Sequence, residues 1–343
     1  MPRSKILVTG GAGFMGSHLT SELVNRGHSV TVMDDLSGGF TENLDPIVRL
    51  IEGSVSNAAL VDAMFSQEGF DYVFHLAAYA AEGLSHFIKK FNYENNLIGS
   101  VNLINASINY GVKCFVFTSS IAVYGKNQIP MTEEMVPMPE DPYGIAKLAV
   151  EQELKVSHEM FGLDYVIFRP HNVYGEKQNI GDRYRNVVGI FMNQIMQDQP
   201  LTIFGDGEQT RAFTYIQDVA PVIADAPFNP RARNQVFNIG ADTAYSVNEL
   251  AKQVANAMGV SAKIKYLEPR NEVKHAFSSH KRLEDIFGYK AKFSLETGIE
   301  AMAGWAKTVG AKRSKPFDNV EIIKNMPASW QQEVLSARAK VEL

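Results

Sequence analysis

Tyr143 and Lys147 stand four residues apart in PYGIAK. On a helix that spacing puts both side chains on one face. A lysine ammonium beside a phenol favours the phenolate and lowers its pKa. A tyrosine tuned in this way can exchange a proton with a hydroxyl near neutral pH. About one Y-x-x-x-K pair is expected by chance in a chain of this composition, so the spacing alone decides nothing. Position carries the weight. The pair opens a helix after Pro142, and the preceding apolar run ends in Thr118-Ser119-Ser120. That is the carboxyl edge, where open α/β sheets place ligands.

A second constellation lies near the start of the sequence. Gly10, Gly13 and Gly16 stand in TGGAGFMGSH, with the spacing G-x-x-G-x-x-G. They follow a strand-like run and open a helix-like one, the context in which a glycine triplet gains meaning. Glycine tightens the turn and lets a pyrophosphate approach backbone N–H groups at the positive end of a helix. Asp34 follows the second strand-like run, at roughly the ~20-residue spacing where an acid receives ribose hydroxyls. An acid there favours NAD, because it repels a 2′-phosphate.

Alternating elements must hold these groups. Apolar, non-alternating runs lie at Ile6–Val8, Ser29–Met33, Val48–Ile51, Asp71–Ala78, Lys113–Ser120 and Asp164–Arg169. Runs of that kind bury both faces. Helical patterns separate most of them, notably Gly13–Arg26, Asn92–Tyr110 and Tyr143–Phe161. The alternation predicts an α/β fold, a doubly wound parallel sheet of Rossmann type with helices on both faces. Beyond Gly175 the elements are shorter and mixed. A helix is expected over Arg185–Gln197, strands over Leu201–Phe204 and Ala262–Leu267, and a capping box, Ser246 to Glu249, opens another helix. The division expected is residues 1–178 as the dinucleotide domain, 179–310 mostly as a smaller mixed α/β substrate domain with some strands returning to the main sheet, and 311–343 as a tail. The tail ends in a helix near Trp330–Val341.

Composition narrows the class. The 343 residues are 45% hydrophobic and 21% charged, with a net charge of −5. Those values exclude a disordered chain and argue against a partner that is nucleic acid. The N-terminus meets glycines too soon for a signal peptide. No apolar run reaches 18 residues, so no membrane span is expected. The single cysteine, Cys114, needs no oxidising compartment. His171, His275 and His280 lack metal-ligand spacing, so no metal is expected. A soluble cytoplasmic protein is the expectation.

TGGAGFMGSH, DYVFHLAA, TSSIAVYG, PYGIAK and RPHNVYG occur in that order. Together they resemble the extended short-chain dehydrogenase/reductase superfamily over roughly residues 4–305. Within it they are most similar to nucleotide-sugar epimerases of the UDP-glucose (UDP-galactose) 4-epimerase type. The resemblance implies NAD held throughout the reaction and a UDP-sugar closed in by the smaller domain. It makes Tyr143 the acid/base, Lys147 its pKa tuner and ribose contact, and Ser120 the partner of the reacting hydroxyl. The cofactor would be lined by Phe14 and Met15 of the glycine turn, by Ser54 and Val55, by Leu76, Ala77 and Ala78, and by Asn95. Asn172 and Asn186 match substrate-contacting asparagines. LTIFGDGEQTRAF resembles the uracil-and-phosphate segment, with Phe204 by the base and Arg211 on the diphosphate. Arg270 is a second phosphate candidate, across a one-residue gap.

Departures from the pattern carry information too. Ser54 stands where the family often has Asp at the adenine edge; a hydroxyl still accepts a bond. Arg211-Ala212-Phe213 replaces an Arg-Asp-Phe/Tyr triplet. Glu82 replaces a small or apolar residue near the sugar, and either bonds sugar hydroxyls or caps a helix. Related dehydratases and decarboxylases carry acids at positions held here by Ile121 and Ala122, which cannot transfer protons. The resemblance therefore implies epimerisation at carbon 4 through a 4-keto sugar. A nucleotide-sugar reductase using NAD(P), a UDP-glucuronate 4-epimerase with Arg183 or Arg185 facing the carboxylate, and a non-catalytic NAD-binding regulator stay open. Ala276 matches a position that walls the pocket beside the hexose 2-substituent, so N-acetyl sugars are expected to fit. Family members pair the two helices 92–110 and 143–161 into a homodimer, and Leu97, Val101, Ile104 and Ile108 offer an apolar stripe for it.

Overall fold

A computed structural model describes residues 3–126, 129–269, 274–314 and 317–341. Seven parallel strands make the central sheet: β1 (Lys5–Thr9), β2 (Ser29–Asp34), β3 (Arg49–Glu52), β4 (Tyr72–His75), β5 (Cys114–Thr118), β6 (Tyr165–Pro170) and β7 (Gln235–Ile239). Their order across the sheet is β7-β6-β5-β4-β1-β2-β3. β1 pairs in register with both β2 and β4, so the order reverses between β1 and β4. A crevice opens there at the carboxyl ends, the place where such sheets bind ligands. β5 is apolar from Cys114 to Phe117 and every residue of it is buried, as a strand covered by helices on both faces requires.

Two apolar layers flank the sheet. One contains Leu7, Met33, Phe65, Phe115 and Phe117 under the helices that cross it, including Ala58–Glu68. The other contains Ile6, Val8, Leu19, Phe74 and Phe168 and runs on into the smaller part of the chain. Each fully buried phenylalanine contributes on the order of 2 kcal/mol. The smaller part has the helix Val187–Met196, the parallel pair Leu201–Phe204 with Ile264–Leu267, and the helix Val247–Met258. The capping box at Ser246 is formed: its hydroxyl accepts the Glu249 N–H at 3.1 Å, and the Glu249 carboxylate accepts the Ser246 N–H at 2.7 Å. β7 comes from between these elements in the chain and returns to the central sheet to pair with β6. Its short QVFNI run carries no period that distinguishes it from a loop or helix turn.

Two expectations change in detail. The helix expected over Asn92–Tyr110 is interrupted by a π turn at Glu94–Ile98, between Lys89–Tyr93 and Gly99–Asn109. The apolar stripe read from it faces inward: Ile104 is fully buried, and Leu97 and Ile108 pack against the same core. That follows from their three-to-four spacing, which serves a helix on its own sheet as well as one on a partner. Exposed apolar residues on the two helices 92–110 and 143–161 include Ile98, Ile145, Val156 and Met160. The described residues 317–341 of the tail end in the helix Ala328–Val341. Among the described residues no helix is long and apolar enough to cross a membrane.

Candidate active site

The crevice holds a cavity of about 1820 Å³, counting space open to solvent. Its floor is the glycine turn between β1 and the helix Phe14–Asn25. Gly10 has φ +69°, and a Cβ on it would lie 2.7 Å from the Ala77 backbone. A Cβ on Gly16 would lie 2.1 Å from the Gly10 carbonyl oxygen. Both positions need glycine for the turn to close at all. Gly13 caps the helix without a side-chain hydrogen bond, so the helix N-terminus faces the cavity uncovered. Phe14, Met15, Ser54, Val55, Leu76, Ala77, Ala78 and Asn95 all line this cavity with Gly10, Gly13, Gly16 and Asp34.

Asp34 is largely committed to the turn. Its carboxylate accepts the Ala12 N–H at 3.0 Å and the Leu36 N–H at 2.9 Å. Burial pushes its pKa up, and those bonds pull against it. The Ser54 hydroxyl shares a 2.8 Å bond with Ser56. Asn95 donates to the Phe91 carbonyl at 2.8 Å from within the π turn. Single π turns inside helices are frequent at functional sites. The lining also contains two buried polar atoms without a partner, Thr118 Oγ1 and Gln178 Oε1. A polar ligand would satisfy both. The glycine cradle, the open helix end and the acid at the second strand fit a dinucleotide.

Tyr143 and Lys147 share one face of the helix Pro142–Phe161, as their spacing predicts. Asp141 caps this helix by accepting the Gly144 N–H at 2.9 Å, and Pro142 fills its first turn. Lys147 is buried and donates to the Thr118 carbonyl at 2.8 Å. Burial lowers its pKa to about 7, against the pull of Glu151. Tyr143 is also buried, and burial pushes its phenol up; the Ser120 hydroxyl and the Arg185 guanidinium ease it down, while Glu82 and Asp141 raise it further. The low phenol pKa expected from the lysine is therefore opposed by desolvation in the protein alone. Ser120 also caps the turn Ile121–Tyr124 by accepting the Ala122 N–H at 3.1 Å.

The remaining substrate candidates divide into two sets. Glu82, Asn172, Arg185 and Asn186 line the cavity. Glu82 sits in the first turn of the short helix Glu82–Ser85. Asn172 donates to the Ala212 carbonyl at 3.2 Å. Asn186 caps the helix Val187–Met196, accepting the Val188 N–H at 3.2 Å. Arg185 donates to the Asp182 carboxylate at 2.7 Å and lies 4.7 Å over the Tyr79 ring. Phe204, Arg211 and Ala276 are not among the residues lining the cavity. Arg211 and Ala276 are register partners in neighbouring strands, and Ala276 is buried against Val123, Tyr124 and Met131. Arg270 lies outside the described residues.

Two supporting networks were not anticipated from the sequence. Asn92 and Asn96 are buried. Asn96 accepts the Tyr79 N–H at 2.9 Å and donates to Asn92 at 2.8 Å, and Asn92 donates to the Pro142 carbonyl at 2.8 Å. They tie the Tyr79 loop to the start of the Tyr143 helix. One turn past Lys147, Glu151 accepts both Arg169 guanidinium bonds at 2.9 and 2.6 Å and the Ser119 hydroxyl at 2.5 Å. Asn92 and Asn96 are an i, i+4 pair and Glu151 is four residues past Lys147, a signal that the sequence does offer. His75, bonded on both ring nitrogens by Thr9 and Ser100, is a packed residue.

The family described as "NAD dependent epimerase/dehydratase family" matches residues 6–240. The UDP-glucose 4-epimerase of Mycolicibacterium smegmatis is 32% identical over 318 residues, covering 91% of this chain and 99% of that one. The crystal structure of UDP-glucose 4-epimerase from Thermotoga maritima with UDP-glucose superposes with a TM-score of 0.85 at 36% identity, covering 89% of this chain and 99% of that one. The UDP-glucuronic acid 4-epimerase of Bacillus cereus, in complex with UDP-glucuronic acid and NAD, superposes with a TM-score of 0.82 at 30% identity, covering 89% and 99%.

Proposed function

The chain belongs to the NAD-dependent epimerase/dehydratase family, and from that premise we propose that it is a nucleotide-sugar 4-epimerase acting on a UDP-hexose. The observation that carries this reading is one cavity lined by the glycine turn, Asp34, Ser120, Tyr143 and Lys147. Residues 1–178 hold the dinucleotide and 179–310 mostly hold the nucleotide sugar. When bound, NAD supplies a reversible hydride acceptor and a positive charge, so that carbon 4 is oxidised to a ketone and reduced again from the opposite face.

The chain's own residues do the rest. Tyr143 Oη takes the proton of the 4-hydroxyl and returns it. Ser120 orients that hydroxyl, and Lys147, anchored on the Thr118 carbonyl, favours the phenolate against the burial that opposes it. Ile121 and Ala122 supply no second acid, which disfavours dehydration and decarboxylation. The sugar's diphosphate anchors the substrate while the hexose end stays loose enough to turn.

UDP-glucose/UDP-galactose and their N-acetyl forms are the sugars favoured. Arg185 in the lining keeps UDP-glucuronate as the second reading, and titration with UDP-glucuronate against UDP-glucose separates the two. The exposed residues Ile98, Ile145, Val156 and Met160 give a homodimer its contact through the two helices. The test is incubation with UDP-glucose without added cofactor. UDP-galactose should form; a requirement for stoichiometric NADH would favour a reductase instead.

A further inference from the structure

The tail crosses back over the cavity wall. Residues 317–334 pack on the segment between Tyr79 and Phe91. Trp330, only 5% exposed, meets Tyr184 edge-on at 5.0 Å between ring centres and Phe87 at 6.5 Å. Phe317 lies 5.0 Å from both Tyr79 and Phe91, and its N–H donates to the Tyr184 hydroxyl at 3.3 Å. The Glu321 carboxylate accepts the Lys90 and Phe91 N–H groups at 2.8 and 2.9 Å. The N–H groups of Glu321 and Ile322 both donate to the Phe87 carbonyl, at 2.8 and 3.1 Å. Aromatic packing and backbone bonds on one short stretch make this a fixed contact rather than a grazing one.

What the segment grips includes the lining of the cavity. Tyr79 and Phe91 line the cavity, and so do Glu82 and Arg185, which follow Tyr79 and Tyr184 closely in the chain. Tyr79 carries the Arg185 guanidinium on its ring. Through Asn96 and Asn92 the Tyr79 N–H is tied to the Pro142 carbonyl at the start of the Tyr143 helix, so this wall adjoins the reacting end of the cavity. None of the tail contacts above falls on the glycine turn, Asp34 or Ser54, at the cofactor's adenosine end. The sequence resemblance, which ends near residue 305, does not reach this segment.

We propose that Trp330 and Phe317 are positioning residues: the C-terminal segment 317–334 clamps Tyr79 and Tyr184, and thereby fixes the wall against which the hexose sits. This rests on the reading of the cavity as a nucleotide-sugar site. A clamp of this kind acts on the hexose and leaves the nucleotide alone, which separates it from a role in folding. Small displacements of positioning groups weaken binding and turnover without any loss of chemistry.

The test compares UDP-glucose with UDP by titration calorimetry on the NAD-loaded protein. Trp330→Ala should weaken UDP-glucose about tenfold and leave UDP unchanged, and Trp330→Phe should restore most of the loss because an edge-on ring remains. Equal loss for both ligands, or no loss for either, overturns the proposal. Should Trp330→Ala lack a cooperative melt, Glu321→Ala removes the acceptor of two backbone N–H groups from an exposed position, and the same split is expected of it. Failure of the functional reading looks different: wild type then binds neither UDP-glucose nor UDP, and both proposals fall.

Discussion

The Lys147 ammonium lies 5.7 Å from the centre of the Tyr143 ring, one helical turn along, while donating to the Thr118 carbonyl. Burial moves these two groups in opposite directions, Lys147 down to about 7 and Tyr143 up. An ordinary lysine titrates near 10.5. Between about pH 7 and pH 10.5 the unfolded chain therefore binds more protons at this position, and stability rises with pH. Tyr143 acts the other way above about pH 10, where only the unfolded phenol ionises. Lys147→Met removes the lysine contribution. Its stability gain over wild type, read from urea midpoints, should be larger at about pH 7 than at about pH 9.5. An offset independent of pH would contradict a buried, depressed Lys147.

Tyr143→Phe should retain NAD and the UDP-sugar but lose turnover by about 10²–10⁴-fold, the usual worth of a general acid–base group. Single-turnover kinetics with bound ligand checked separately is the measurement. Near-normal turnover would remove Tyr143 from its role.

Glu151 and Arg169 form a bidentate pair whose side chains are 0% and 3% exposed. Arg169 also donates to the Tyr124 hydroxyl at 2.7 Å, and Tyr124 donates to Asn238 at 2.8 Å. Removing one partner leaves a buried charge uncompensated, so Glu151→Ala should cost about 3–5 kcal/mol in denaturant unfolding. A cost below about 1 kcal/mol, the range of exposed pairs, would show the pair to be hydrated in solution.

Val156 is 56% exposed and Met160 72% exposed on the outer face of the Tyr143 helix. Light scattering at micromolar concentration should give a dimer for wild type and a monomer for Val156→Lys, since a charge in an apolar contact is costly to desolvate. A wild-type monomer would mean that this face has no partner copy.

The sheet and the cofactor cradle were largely legible in the sequence because both rest on local rules. Apolar runs mark strands buried on two faces, and glycine spacing marks a turn that no other residue can close. The Tyr143–Lys147 face followed from helical periodicity alone. The stripe on helix 92–110 misled, because Ile104 and Ile108 fit a sheet contact and a partner contact equally well. Ala276 came from resemblance just past a one-residue gap and Arg211 from the LTIFGDGEQTRAF segment; the two are register partners in neighbouring strands, and neither is among the residues lining the cavity. The Glu151–Arg169 pair and the Trp330–Tyr184 contact join positions far apart in the chain, and no local pattern signals such pairings.

Hydride transfer at carbon 4 is tested most directly by isotope retention. UDP-glucose is incubated with the protein in D₂O, without added NADH, and carbon 4 of both hexoses is followed by NMR. The expected result is an equilibrium mixture of UDP-glucose and UDP-galactose with no solvent deuterium at carbon 4, because the hydride leaves and returns within one closed site. Deuterium at carbon 4, or NADH accumulating without the epimer, would contradict it.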